Sequence, residues 1–188
     1  MDYEGTSDVF LKVFMDDKDK KETDTHYRCQ NGKASFNYRL VYQAKAPRPN
    51  YNINFQTWDR DLFKSNDFIG ESQFSLRYLF EDAIATQKPM FLNKKYYDNF
   101  LKEKLGDSMK FEFTKDDDDS FFVETKDASG KYVGKVRISL SVTPIETALA
   151  NPVGYGRSEP NHSPYLPPPV GRISFSLNPF TLFVSHHC

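Results

Sequence analysis

Apolar and polar residues alternate along much of the chain, which is the pattern of β-strands that bury one face. Turn-forming stretches such as QNGK, APRPN and DASGK separate these runs. The pattern predicts seven strands, at residues 8–15, 22–29, 35–43, 51–58, 68–76, 120–126 and 134–142. The aromatic content of 15% also favours β structure, so we predict an all-β fold.

The alternation stops between residues 81 and 106. There the stretch PMFLNKKYYDNFLKEKLG places apolar side chains at helical spacing, and Gly106 provides a stop. The apolar positions are Phe91, Leu92, Tyr96, Phe100, Leu101 and Leu105. We therefore predict one helix inserted between the strands.

The composition changes after Pro144. The stretch NPVGYGRSEPNHSPYLPPPVGR is rich in proline, glycine and polar residues, and it has too few apolar side chains to fold alone. We predict a folded domain over residues 1–146, followed by a disordered, Pro-rich linker or tail with polyproline II character over residues 147–188.

Charge and cysteine content exclude several classes of protein. The formal net charge is −1, so no general nucleic-acid binder is expected, and any electrostatic function must come from local clusters. Cys29 and Cys188 give no disulfide framework, which suits a reducing compartment. The late apolar stretch ISFSLNPFTLFV is shorter than the roughly 20 residues of a membrane span.

Five aspartates flank two predicted loops. Asp2 and Asp8 bracket a glycine-containing loop before the first strand, and Asp59, Asp61 and Asp67 surround the loop between the fourth and fifth strands. Loops of this kind can emerge at one end of a β-sandwich. Converging carboxylates are tolerable only around a hard cation, so the pattern indicates a cation site. Each aspartate alone is more typical of an ordinary turn.

Two motifs resemble the calcium-binding loops of C2 domains. DxxGxSD before a strand is similar to loop one, and WDxDxxxxxDxxG is similar to loop three, while GKASFNYRLVY resembles the strand after loop two. The resemblance implies an antiparallel Greek-key β-sandwich of the C2 type in which all five aspartates hold calcium. That sandwich has eight strands, so the count of seven lacks the strand before loop one and suggests a fragment, an odd gene model or a truncated form.

A narrower resemblance is to ferlins. KKETDTHYRCQNGKASFNYRLVY and NPVGYGRSEPNHSPYLPPP are similar to the last C2 domain of ferlins and to the linker after it. This implies a non-enzymatic module on the cytoplasmic side of a vesicle or plasma membrane, in a tail-anchored protein that acts in calcium-triggered membrane fusion, trafficking or repair. The implied partners are anionic phospholipid, fusion-machinery proteins and neighbouring C2 domains.

The tip of the third loop supplies the predicted lipid contacts. Leu62 and Phe63 would enter the acyl region, while Lys64 and Lys33, the latter in loop two, would meet an anionic surface. Several alternatives remain open. Leu62 and Phe63 could pack on a neighbouring domain instead of lipid. The chain could also be a calcium-independent C2-like protein-interaction or scaffolding domain. A phosphoinositide could instead be bound by basic residues on or next to the strand at 22–29. These are Lys20, Lys21, His26 and Arg28.

Overall fold

The computed structural model describes residues 7–29, 31–61, 63–105, 111–115 and 117–172. The strands are β1 (Ser7–Phe14), β2 (Lys21–Glu22), β3 (His26–Cys29), β4 (Asn52–Asp59), β5 (Asp67–Ser75), β6 (Met90–Phe91), β7 (Glu112–Phe113), β8 (Phe121–Lys126), β9 (Tyr132–Ile138) and β10 (Ser141–Val142). The helices are α1 (Arg77–Thr86), α2 (Lys94–Tyr96), α3 (Lys102–Leu105) and α4 (Ile145–Ala150), with a π-helical turn (Tyr97–Leu101) joining α2 to α3 and a 3₁₀ turn at Asp17–Asp19.

Eight of the described strands, all except β6 and β10, belong to one continuous antiparallel sheet, which divides into two layers at the pairing of β5 with β8. In the first layer β1 pairs with β2 and β3 on one side and with β4 on the other, and β4 pairs with β5. In the second layer β8 lies between β7 and β9, while β6 and β10 form a separate pair. The layers meet where Glu71 of β5 pairs with Lys126 of β8. Gly70 permits this approach, because a Cβ there would lie 3.1 Å from the Lys126 carbonyl oxygen of β8 and 2.5 Å from Val133 Cγ2 of β9.

Aromatic side chains fill the space between the layers. The rings of Phe74 and Phe111 have centroids 5.0 Å apart, and those of Phe111 and Phe121 are 4.7 Å apart. Phe121 is fully buried, and Ile53 and Phe55 alternate with partly exposed neighbours on β4. The prediction of an all-β fold with antiparallel layers is therefore confirmed.

The predicted strand at 35–43 is wrong. Arg39 makes an isolated bridge to Gly156, and the rest of the segment joins no sheet. Its alternation has another cause, since Phe36, Leu40 and Tyr42 pack against the core from outside the sheet. The side of β1 that does not pair with β4 pairs with β2 and β3. The side chains of the segment at 35–43 are therefore buried without strand pairing.

The helical content is larger than predicted. The predicted helix corresponds to α2, the π-helical turn and α3, but its first part is instead the strand β6. α1 and α4 were not predicted. The buried residues of α1 are Leu79, Phe80 and Ala83, which have helical spacing, so the sequence did contain a short helical signal that the prediction missed.

Residues 154–172, which we term the strap, lie against β3 and the segment at 35–39. The strap contains no helix, and it pairs with the domain at Gly156. The composition predicts disorder, but the strap is held in place by hydrogen bonds to the domain. The segment folds against the domain and not alone. Residues 173–188 lie outside the described residues, and the boundary at residue 146 remains a prediction.

Within the described ranges, no helix combines the length and apolar character needed to cross a bilayer.

Candidate calcium and membrane site

Three adjacent strands bring aspartates to one end of the first layer. Asp59 at the end of β4 lies opposite Asp67 at the start of β5, and on its other side it lies opposite Val9, the neighbour of Asp8. Asp61 follows two residues after Asp59. Four of the five predicted ligands therefore share this end of the sheet, while Asp2 lies outside the described residues.

Backbone amides orient two of these carboxylates. The Asp8 N–H donates to Asp59 Oδ1 at 2.6 Å, and the Arg28 N–H donates to Asp8 Oδ1 at 2.7 Å. Asp59 is buried, so its position is fixed by the strands around it. Burial raises the pKa of the nearby Cys29 thiol, and the negative charge of Asp59 raises it further.

Arg60 anchors the start of loop three, a role that the sequence analysis missed. Its backbone N–H donates to Asp8 O at 2.8 Å. Its guanidinium lies over the Phe10 ring, 4.1 Å from the centroid, and donates to Thr25 Oγ1 at 2.8 Å and to Glu22 Oε2 at 2.9 Å. The positive charge between the two aspartates of DRD is thus paired with Glu22.

The third loop carries exposed side chains at its tip. The Asp61 N–H donates to Asn66 Oδ1 at 3.2 Å and closes the loop. Phe63 is 98% exposed and Lys64 is also exposed, as is Lys33 in loop two. Leu62 lies outside the described residues. A fully exposed phenylalanine beside a lysine is a suitable contact for a lipid surface.

The donor chemistry fits calcium, but the described side chains do not complete a site. Carboxylate oxygens are the ligands that Ca²⁺ prefers, and six to eight oxygens are needed. Over the ranges described, no three His, Cys, Asp or Glu side chains are close enough to hold a metal ion. Calcium binding by the five aspartates therefore remains a prediction.

The basic residues of the phosphoinositide alternative are largely engaged within the protein. Lys20 pairs with Asp17 at 2.9 Å, and Lys21 donates to the Val41 carbonyl. His26 is only 3% exposed. Arg28 is exposed, but the other three residues are paired or buried. The four residues therefore do not present one open basic surface.

His26 is held as a neutral ring. Its Nδ1 accepts from the Ser35 N–H at 2.8 Å, so the proton is on Nε2, which donates to Gly171 O at 3.1 Å. Burial lowers the pKa of His26 and the charge of Arg172 lowers it further. These two effects outweigh the Gly171 hydrogen bond and the charge of Asp24, which raise it.

We expect this histidine to make the free energy of unfolding fall as the pH decreases. The unfolded state takes up the proton near the ordinary pKa of about 6.5, while the folded state resists it, so stability is lost below about pH 6.5. Urea unfolding between about pH 7.5 and 5 measures the slope. His26→Gln should reduce it and His162→Gln, at an exposed histidine, should not. Equal slopes in both variants would contradict the assignment.

An antiparallel β-sandwich with acid-bearing loops at one end is the arrangement of a C2 domain, and residues 1–90 match the family model of the C2 domain. The chain is a ferlin-like C2 module, as the sequence motifs predicted. It is 30% identical to Ferlin 1 of Toxoplasma gondii over 147 residues, which cover 78% of this chain and 9% of that protein.

Two further relatives are also ferlins. The chain is 29% identical to Ferlin 2 of Tetrahymena thermophila over 175 residues and 28% identical to Myoferlin of Mus musculus over 193 residues. Each match covers 88% of this chain and 9% of the relative. The chain thus spans about a tenth of the length of the curated relatives it matches. C2 domains and ferlins are typically non-enzymatic binding modules.

Proposed function

We propose that this chain is a calcium-dependent phospholipid-binding module without catalytic activity. The observation that carries the proposal is the placement of Asp8, Asp59 and Asp67 at the same end of three adjacent strands, in the neighbourhood of the exposed Phe63. Asp61 belongs to the same loop as Phe63, and Asp2 would complete the set.

Charge explains why calcium would control membrane binding. The five proposed carboxylates would repel an anionic leaflet, and bound calcium would supply the positive charge that neutralises them. Lys64 and Lys33 each contribute about 1 kcal/mol at such a surface, and Leu62 and Phe63 enter the acyl region. The aspartates therefore serve as the switch, and the loop tip supplies the lipid contact.

For the whole protein we propose a role in membrane fusion, vesicle trafficking or repair, in a tail-anchored protein whose C2 domains face the cytoplasm. The support is the ferlin-like character of the chain. Fusion-machinery proteins and neighbouring C2 domains are the proposed protein partners.

Co-sedimentation with phosphatidylserine vesicles tests the proposal. We expect the chain to pellet with the vesicles in calcium and to stay in the supernatant in chelator. Equal pelleting in both conditions would contradict the proposed calcium dependence of vesicle binding. Absence of pelleting in both would favour the second candidate, a calcium-independent protein-interaction domain, which is supported by the finding that the described carboxylates form no metal group.

Replacing Phe63 by alanine should weaken vesicle binding roughly 10- to 100-fold, because burying a phenylalanine contributes about 1.5–3 kcal/mol. The side chain is 98% exposed, so the fold should be unaffected. Vesicle titration in calcium measures the affinity, and calorimetry without lipid should show unchanged calcium binding. Phe100→Ala, at a half-exposed phenylalanine of the π-helical turn, is the matched control. Equal affinities of the two variants would remove Phe63 from the lipid contact.

A further inference from the structure

One carboxylate holds both halves of the strap. Asp24 accepts hydrogen bonds from Arg157 Nη2 and from Arg172 Nη2, the latter at 2.8 Å, and Arg172 Nη1 lies 2.7 Å from its second oxygen. Burial alone raises the pKa of Asp24, but the hydrogen bonds and charges of Arg172 and Arg157 outweigh it and leave the pKa lowered. Asp24 therefore stays ionised at neutral pH and binds two guanidinium groups.

The first half of the strap fits the domain closely. Gly156 and Arg39 exchange two backbone hydrogen bonds, of 2.8 and 3.1 Å. Gly156 has a φ of +66°, and a Cβ at this position would lie 3.0 Å from the Tyr38 ring. The Tyr155 hydroxyl donates to Glu22 O at 3.0 Å. These contacts, together with the hydrogen bond from Arg157 to Asp24, explain why the GYGR stretch contains Gly156 and Arg157. The proposed function gives these two residues no role.

The strap runs toward the end of the sheet that carries the aspartates. Tyr155 near its start contacts Glu22, which pairs with Lys12 of β1, whereas Gly171 near its end contacts His26, which pairs with Val9. Three residues of a strand separate these levels, about 10 Å.

The end of the strap holds the base of loop two. Arg172 Nε donates to Ser35 O at 2.8 Å, and the Val170 N–H donates to Ser35 Oγ at 3.2 Å. The Ser35 N–H donates to the same His26 ring that donates to Gly171. Loop two is thus preceded in the chain by β3 and followed by Ser35, which is hydrogen-bonded to the strap. The same β3 supplies the amide that orients the Asp8 carboxylate, through Arg28.

We propose that the strap is an intramolecular latch: closed on Asp24, it fixes loop two and β3, and its release loosens both. The coupling to loop two stands on the contacts above. Its consequence for cation binding rests on the proposed function, because Asp8 is one of the proposed ligands.

Amide hydrogen exchange in chelator tests the latch without calcium. In Asp24→Asn we expect exchange to accelerate at least about tenfold in residues 154–172 and also in residues 31–36, because the charge that pairs with both arginines is lost. Asp17→Asn, at an exposed aspartate that pairs with Lys20, is the matched control and should leave both regions unchanged. Acceleration confined to the strap, or to neither region, would overturn the proposal.

A second variant, with its own control, distinguishes release of the strap from a general folding defect. Gly156→Ala should open the strap by contact with Tyr38, whereas Gly130→Ala carries a similar positive φ of +83° with no atom within 4 Å. We expect faster exchange in residues 31–36 only in Gly156→Ala. Equal behaviour of the two variants would contradict the latch.

Calcium titration separates the latch from the proposed function. If the unaltered chain responds to calcium, Asp24→Asn should weaken the response roughly tenfold, and an unchanged affinity would overturn the link to the site. If the unaltered chain shows no response, the proposed function fails, while the exchange measurements still decide whether the latch controls loop two.

Discussion

The double variant Asp59→Asn, Asp61→Asn should lose calcium-dependent binding to phosphatidylserine vesicles. Asparagine keeps the size of the side chain and an oxygen that can accept the Asp8 N–H, but it removes two negative charges. Even changes in the outer shell of a metal site cost about 10- to 100-fold in affinity, so we expect a loss of more than about 100-fold here. Calorimetric titration with calcium and vesicle co-sedimentation measure the effect.

The matched control is the double variant Asp118→Asn, Asp119→Asn. These aspartates are also close in sequence and lie in an acidic segment, but they are exposed and lie before β8, away from the proposed site. The control should respond to calcium as the unaltered chain does. A normal response in the Asp59, Asp61 variant would place the cation site elsewhere or remove it from the function.

The second large effect concerns the core. Phe121→Ala should lower the free energy of unfolding by about 3–5 kcal/mol, because the side chain is fully buried and its ring contacts Phe74, Phe111 and Phe113. Such a loss is a large part of the roughly 5–15 kcal/mol that stabilises a typical domain. Urea unfolding monitored by circular dichroism gives the value.

Phe122→Ala provides the comparison at the next position of β8. Phe122 points to the other face, is partly exposed and lies under Lys135, whose Nζ is 4.2 Å from the ring centroid. We expect this variant to lose only about 1 kcal/mol. Similar losses in the two variants would mean that the aromatic cluster does not form the contact between the layers.

The paired strands around the site could be predicted because local pattern and tertiary environment agree there. Alternation in β4 reflects a buried face with Ile53 and Phe55, and the turn that follows contains the aspartates of loop three. The same alternation misled at 35–43, where Phe36, Leu40 and Tyr42 face the core although no strand lies alongside. Periodicity reports which side chains are buried, and it does not report which backbone groups are paired.

The strap and Asp24 could not be predicted for a different reason. In the sequence Asp24 only interrupts a basic stretch, and its partners Arg157 and Arg172 are 133 and 148 positions away. Composition correctly indicates that the Pro-rich segment cannot fold alone. It gives no information about a surface provided by the rest of the chain. Arg60 was missed similarly, since its contacts with Phe10 and Glu22 depend on the packing of three strands.

The position of the latch also determines how the domain would carry mechanical load. A pull on the chain beyond Arg172 acts first on the ion pairs with Asp24 and on the hydrogen bonds at Ser35, beside β3. Only after these contacts break does tension pass through the strap to α4 and β10. Residues 151–172 would then extend by up to about 70 Å. A force applied beyond Arg172 would therefore be taken up by the extension of this segment before it could act on the strands of the domain.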